Sequence, residues 1–327
     1  MSLHNARFTT GEMAQTPNHR HSEHLLGFET DIIFFDGLPA QNVSYVPTQT
    51  TRKTTPYTNL FIKNHWGEIT KKNPQVFDAP KVRFEGSMYN QDENTLFILW
   101  SEDRYSTHAA MRDTILPKAY QANLFTINGI PLTSDNKIPI VVRNPKKTDQ
   151  GRIKHITPAG FVNLKKLGGS QPESVEDTIS RKLLDELQLP ILYAMENPYK
   201  ATERELHEEL KHATDFSANV FKPERMRILG IVYNYKKNFD YTATVLIPLD
   251  ATSSEISLKG EEHEDEIDWT STTLDSLRTT LYELAIAPET NSGHLRGDIA
   301  LLTGHLYGKK AYLQTLDDII LEFSKMK

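Results

Sequence analysis

The chain has 327 residues, 38% of them hydrophobic and 24% charged, enough for about two domains with their own cores. It contains no cysteine, which excludes a disulfide scaffold, thiolate zinc sites, iron–sulfur clusters and a cysteine nucleophile. With 37 basic against 43 acidic residues and a net charge of −6, no basic surplus points to a nucleic-acid surface. No long apolar run suggests a membrane span, and residues 1–20 have no apolar leader segment, so neither a membrane nor secretion is expected. A cytoplasmic setting is the default.

Residues 1–25 are polar and carry His4, His19, His21 and His24 without apolar periodicity, which reads as a mobile arm. Residues 26–118 read as an α+β N-terminal domain. A buried-type strand is expected at 31–35, an extended Thr- and Pro-rich loop at 41–58 and a helix at 60–72. A strand pair follows at 82–89 and 95–100, then a polar stretch at 101–113 that contains Tyr105. Residues 119–327 change rhythm. Strands are expected at 124–128 and 138–143, with a turn at Thr133-Ser134-Asp135-Asn136 between them. A long insertion spans 163–195, with one amphipathic helix marked by Ile179, Leu183, Leu184 and Leu187. A second helix runs from Pro198 to about His212. An antiparallel pair is expected at 227–235 and 241–249, an acidic loop at 261–266, and C-terminal helices at 274–284, 297–307 and 316–325.

The chemistry concentrates in the helix that begins at Pro198. Asn197 is a good cap and proline is preorganised for the first turn. At 3.6 residues per turn, Glu205 and Glu209 stand one above the other, and Glu208 lies on the same side within an arc of about 100°. Ala201, Leu206 and Leu210 supply apolar packing beside them. Like charges so spaced destabilise a helix slightly, which a solvated face tolerates. They are also oxygen ligands on a rigid element, which suits a hard cation that keeps water and phosphate oxygens around it.

The wider spacing is more specific. Glu196 lies eight residues before Arg204, and Arg204-Glu205-Leu206-His207-Glu208-Glu209 follows. This resembles the Nudix box, G-x5-E-x7-R-E-U-x-E-E-x-G-U with U a bulky apolar residue, at every specified position from Glu196 to Glu209. Two positions depart from it. Pro190 stands where the box glycine belongs, and Gly160 looks like that glycine displaced by the insertion. The late Gly-U is Lys211-His212, which alters the turn leaving the helix without touching the carboxylates.

The resemblance implies an α+β fold, a Nudix α/β/α sandwich with a mixed sheet, preceded by the additional N-terminal domain. It implies Mg2+, or Mn2+, held by Glu205 and Glu209, with Glu208 as a further ligand or a base for water. Arg204 would hold Glu196 and orient the helix. A loop carboxylate from Glu261, Glu262, Glu264 and Glu266 would join them, with Glu264 favoured. Together with Phe77-Asp78-Ala79-Pro80-Lys81 and the enlarged loop, the layout resembles the UDP-glucose and UDP-galactose diphosphatase branch. Lys81, Arg83, His294 and Arg296 are candidates for phosphate or sugar contacts. The implied reaction is hydrolysis of a nucleoside diphosphate sugar to a nucleoside monophosphate and a sugar 1-phosphate. Hydrolysis of ADP-ribose, a dinucleotide cofactor or another nucleoside diphosphate derivative, a non-catalytic Nudix-fold nucleotide sensor, and an α+β interaction protein with an acidic helix remain the alternatives.

Overall fold

The computed structural model of the chain describes residues 20–22, 30–90, 92–111, 120–144, 152–166, 193–212, 220–234, 240–259, 263–287 and 290–325. The expected helix at Ile179–Leu187, the residues Pro190, Glu261 and Glu262, and the histidines at 4, 19 and 24 lie outside them.

Strands β1 (Arg20–Ser22), β2 (Thr30–Leu38) and β3 (Val43–Pro47) precede helix α1 (Pro56–Lys72). A hairpin of β4 (Pro80–Asn90) and β5 (Thr95–Arg104) leads into the short helix α2 (Tyr105–Met111). Five strands follow: β6 (Phe125–Leu132), β7 (Lys137–Arg143), β8 (Lys154–Ile156), β9 (Ala159–Phe161) and β10 (Leu164–Lys166). Then come β11 (Tyr193–Met195), helix α3 (Pro198–Glu209) and β12 (Leu210–His212). After β13 (Arg227–Asn234), β14 (Tyr241–Pro248), β15 (Ile256–Leu258) and β16 (His263–Ser271), the last elements are helices α4 (Leu274–Ile286) and α5 (Gly293–Lys325).

The fold is mixed α+β. Its largest sheet has the order β1-β2-β13-β14-β6-β9, antiparallel except for the parallel pair β14 and β6. Two three-stranded sheets, β3-β5-β4 and β16-β7-β8, flank it. Period-two alternation divides the side chains of the large sheet between two cores. Phe125 and Ile127 of β6, Ala243 and Val245 of β14 and Phe35 of β2 pack with Ala201 and Leu206 of α3 and with Phe84 and Ile98 of β4 and β5. Ile32 and Phe34 of β2, Val232 of β13 and Leu246 of β14 pack instead with Leu277 of α4 and Leu295 and Leu301 of α5. The helices α3 and α5 therefore lie against opposite faces of one sheet. Among the described residues no helix is long and apolar enough to cross a membrane.

Several sequence expectations need correction. Residues 20–22 pair with Ile33, Ile32 and Asp31, so this part of the polar arm is the edge of the large sheet. β2, before the boundary expected near residue 118, pairs with β13 beyond it, because its alternating Ile and Phe residues feed both cores. The stretch 41–58 is not wholly loop: residues 43–47 form β3, parallel to β5, and the helix starts at Pro56 behind a Thr55 cap that accepts from Thr58. Helix α3 stops at Glu209 rather than near His212, since Leu210–His212 turn extended and pair with Ile256–Leu258. The acidic stretch is strand from His263 onward, paired with β7. The two last expected helices run as α5, broken only where Gly308 adopts φ 84°, a left-handed conformation open to glycine.

Helix α3 forms as its sequence suggests, with Asn197 Oδ1 accepting from Tyr199 N at 2.9 Å and Pro198 in the first turn. Leu206 is completely buried and anchors it to the sheet. Leu206→Ala is expected to lower stability by about 2–5 kcal/mol, as core truncations of leucine do, measured as a fall in urea midpoint at unchanged m-value.

Candidate functional site

A cavity of about 610 Å³ opens where α3 meets the edge strand β9. The wall takes Glu205, Glu208, Glu209 and Arg204 from α3 and residues 159–161 from β9. Lys81, Tyr105, His108, Thr126, Asn128, Arg143, Asp240, Lys259 and His294 join it from seven other parts of the chain.

The helix and strand approach so closely that a side chain at position 160 would displace the Glu205 carboxylate. A Cβ on Gly160 would lie 2.0 Å from Glu205 Oε1 and 2.2 Å from its Cδ. The carboxylate thus occupies the space that any other residue would fill. Glu209, one turn on, accepts from the Thr157 hydroxyl and from Ala159 N at 3.2 Å. Both carboxylates are consequently buried and locked to the segment 157–160, whereas Glu208 is largely exposed at the mouth, with 59% of its side chain open.

Arg204 ties this end together. Its Nε and Nη2 reach the two oxygens of Glu196 at 3.2 and 3.1 Å, a bidentate pair. Nη2 also donates to Phe161 O at 3.1 Å, and Nη1 pairs with Glu205 and lies 3.7 Å from Glu208. Glu196 accepts in addition from Asn163 N at 3.0 Å, so it faces the clamp rather than the cavity. Burial opposes the charge on Arg204, but Glu196 and Glu205 hold it above its ordinary value. Burial pushes Glu205 up to about 7; Arg204 pulls against this, and the neighbouring charges of Glu209 and Glu208 add to it. The Lys81 ammonium is lowered by burial and by Arg204. It donates to Asn163 Oδ1 at 3.0 Å and sits 5.0 Å from the centre of the Phe161 ring.

Two buried carboxylates with a third at the mouth form a donor set for a hard divalent cation. Among the described residues no three His, Asp or Glu side chains converge into an all-protein metal cage. Magnesium does not require one: it takes one or two carboxylates and completes its shell with water and phosphate oxygens. Glu205 and Glu209, over the backbone cradle at Gly160, fit that requirement, and manganese is served by the same oxygens.

The other sequence candidates divide. Lys81 and His294 reach the cavity wall. Arg83 does not: it is buried and paired with Glu85, which also accepts from Ser101. Arg296 is likewise buried and off the wall. Arg83 shares the face of β4 with Lys81 but lies farther along the strand, where Glu85 holds it, and Arg296, two residues after His294, is turned about 200° around α5 from it. Glu264 belongs to β16, where the pairing register shifts between His263 and Ile267, and its side chain is outside the described residues. The sequence offered no sign of Thr157, Asn128, Arg143, Asp240 or Lys259, each an ordinary polar residue until pairing of the strands gathers them.

The wall nearest α5 holds a buried polar network. His294 Nε2 lies 3.0 Å from Asp240 Oδ1, and both residues are buried. Burial would raise Asp240 and lower His294, yet each holds the other charged, Asp240 below and His294 above its ordinary value. Asp298, a helical turn beyond His294, accepts from Thr244 Oγ1 at 2.6 Å and Asn128 Nδ2 at 2.7 Å. Burial nonetheless pushes Asp298 up to about 6.

No protein-family model matches this chain, and no curated protein matches it. Solved structures similar to part of it include DR0079 from Deinococcus radiodurans, with a TM-score of 0.31 and 16% identity over 54% of this chain and 80% of that one. They also include a bifunctional NMN adenylyltransferase/ADP ribose pyrophosphatase from Francisella tularensis, solved with AMP and a manganese ion. There the TM-score is 0.30 and the identity 13%, over 55% of this chain and 41% of that one. Likenesses this slight carry no argument, and the functional reading rests on the site.

Two outcomes follow. Gly160→Ala should leave the fold intact but push Glu205 off the backbone, so that saturating magnesium raises Tm by less than half the wild-type increment. An equal increment would show that the carboxylate stays in place. Asp298, raised by burial, favours the folded state while protonated, and this contribution is lost as pH climbs from the ordinary aspartate range through about 6. Asp298→Asn should flatten that fall in stability, read from urea midpoints between about pH 4 and pH 7.

Proposed function

We propose that the protein is a Nudix-type, divalent-cation-dependent hydrolase that cleaves the pyrophosphate link of a nucleoside diphosphate sugar. UDP-glucose or UDP-galactose would yield UMP and a sugar 1-phosphate. The observation that carries this reading is the clamp. Arg204 holds Glu196 and Glu205 at once, and with Glu208 and Glu209 it presents three carboxylates of one helix to one cavity. A mixed sheet with α3 and α5 on opposite faces accords with the implied sandwich. The β3-β5-β4 sheet with α1 and α2 then acts as the addition that lends Lys81, Tyr105 and His108 to the wall.

Glu205 and Glu209 would hold a divalent cation, which would supply charge neutralisation for the diphosphate and lower the pKa of water. The chain's own residues do the rest. Arg204 fixes the orientation of Glu205, and Thr157 with Ala159 fixes that of Glu209. Glu208, exposed at the mouth and 3.7 Å from Arg204, takes the proton of the attacking water. The water oxygen bonds to one phosphorus as the bridging oxygen leaves with the other phosphate. Lys81, Arg143 and Lys259 line the cavity as cations and offset the charge of the phosphates. His294 contributes to substrate contacts at the opposite wall, and Glu264 of β16 is the additional carboxylate.

The test is incubation with magnesium and UDP-glucose, UDP-galactose, ADP-ribose, NADH or CoA, with products identified by mass. UMP with sugar 1-phosphate is the expected result. Turnover of ADP-ribose alone would retain the hydrolase and overturn the sugar assignment. Metal-dependent binding with no turnover of any compound would make the protein a sensor. Glu209→Gln should lower kcat by about a hundredfold or more while circular dichroism stays unchanged.

A further inference from the structure

The hydrolysis proposed above draws only His294 from the acceptor-rich wall nearest α5 and gives its other residues no part. Asn128 on β6, Asp240 just before β14 and His294 in the first turn of α5 all line the cavity, and each is more than nine-tenths buried. They come together because the sheet alternates. Ile127 points into the core under α3, so Asn128 points the other way, toward Asp298 on α5.

The contacts decide which atoms this wall offers. Asp298 is fully buried and receives the Thr244 hydroxyl and the Asn128 amide nitrogen at 2.6 and 2.7 Å. A carboxylate in that position needs donors, so one hydrogen of the amide nitrogen is committed to it, which leaves Asn128 Oδ1 to accept and the second N–H to donate. Asp240 adds a carboxylate, and His294, held at 3.0 Å from it, adds a ring with a second nitrogen. The wall is thus rich in acceptors, with one imidazole and one amide N–H as donors, and the charges of Arg143 and His108 reach it from the same cavity. Phosphate oxygens only accept, and neither Asn128 Oδ1 nor the Asp240 carboxylate has a hydrogen to give them. Hydroxyl groups both donate and accept, so a ring bearing several of them satisfies all three residues at once, which buried polar groups require.

We infer that Asn128, Asp240 and His294 form a subsite for the hydroxyls of a sugar ring of the substrate. The inference rests on the hydrolase reading for its location: the diphosphate lies at the carboxylates of α3 and the sugar reaches toward α5. The buried network through Asp298 and Thr244 makes the subsite rigid before ligand arrives, which is what discrimination between hydroxyl patterns demands.

The test is a cycle in binding affinity with ligands that cannot be cleaved. Methylene-bridged UDP-hexose and a series lacking one ring hydroxyl at a time are titrated calorimetrically in magnesium. Wild-type protein and Asp240→Asn are compared. Removing a hydroxyl that Asp240 contacts should weaken wild-type binding by about tenfold. Asp240→Asn should weaken the parent ligand by a similar factor and show no further loss with that same deoxy ligand. If the two losses multiply for every hydroxyl, or if only changes to the base matter, the inference is wrong. Should Asp240→Asn fail to fold, Asn128→Ala takes its place in the cycle. Absence of hydrolysis of natural UDP-hexoses with analogue binding intact would overturn the hydrolase reading alone, because the dissociation constants decide the subsite independently.

Discussion

The site depends on one close approach. Helix α3 lies so near the edge strand β9 that the Glu205 carboxylate fills the volume of a missing side chain at Gly160. From that contact the rest follows. A carboxylate pressed against backbone is desolvated, and a desolvated carboxylate must find a cation or take up a proton. Arg204 meets part of that demand, and is itself steadied by Glu196 and by Phe161 O. Glu209 is held the same way a turn later, by Thr157 and Ala159. The segment 157–160 and the helix therefore make a single rigid unit, and the remaining charge points at the cavity.

The opposing charges around that cavity reflect its construction from distant pieces. Three glutamates come from one helix, while Lys81, Arg143 and Lys259 come from β4, β7 and the end of the β15 segment. Carboxylates in one patch and cations around it suit a ligand that is itself anionic and arrives with a divalent ion. The wall near α5 has a different character: charge is paired off within the protein between Asp240 and His294, and what is offered is hydrogen bonding. A cavity with one strongly charged end and one neutral, directional end is chemically suited to a ligand that has both kinds of group.

How far this was legible in the sequence follows the range of the interactions. Asn197, Pro198 and the spacing of Glu205, Glu208 and Glu209 act within one or two helical turns, so helix α3 and its acidic face could be read directly. The strand pair β13–β14 was equally visible from its two β-branched runs. The end of α3 was not, because Leu210–His212 are drawn into pairing with a segment nearly fifty residues later. Arg83 and Arg296 were candidates by charge alone. Their places were set by long-range packing: Arg83, on the Lys81 face of β4, is held by Glu85, and Arg296 is rotated away from His294 on α5.

By itself the sequence determined the local chemistry: a capped helix, a carboxylate ladder along it, and an arginine spaced to reach Glu196. These are short-range consequences of helical geometry and side-chain type. The tertiary structure decided which glycine the helix would lean on, which lysine and histidine would join the wall, and which carboxylates would be desolvated. Those outcomes depend on β6 lying between β14 and β9, with Ile127 turned to one core and Asn128 to the other. Register and sheet order are long-range properties, set by the burial of whole faces and not by any residue in isolation.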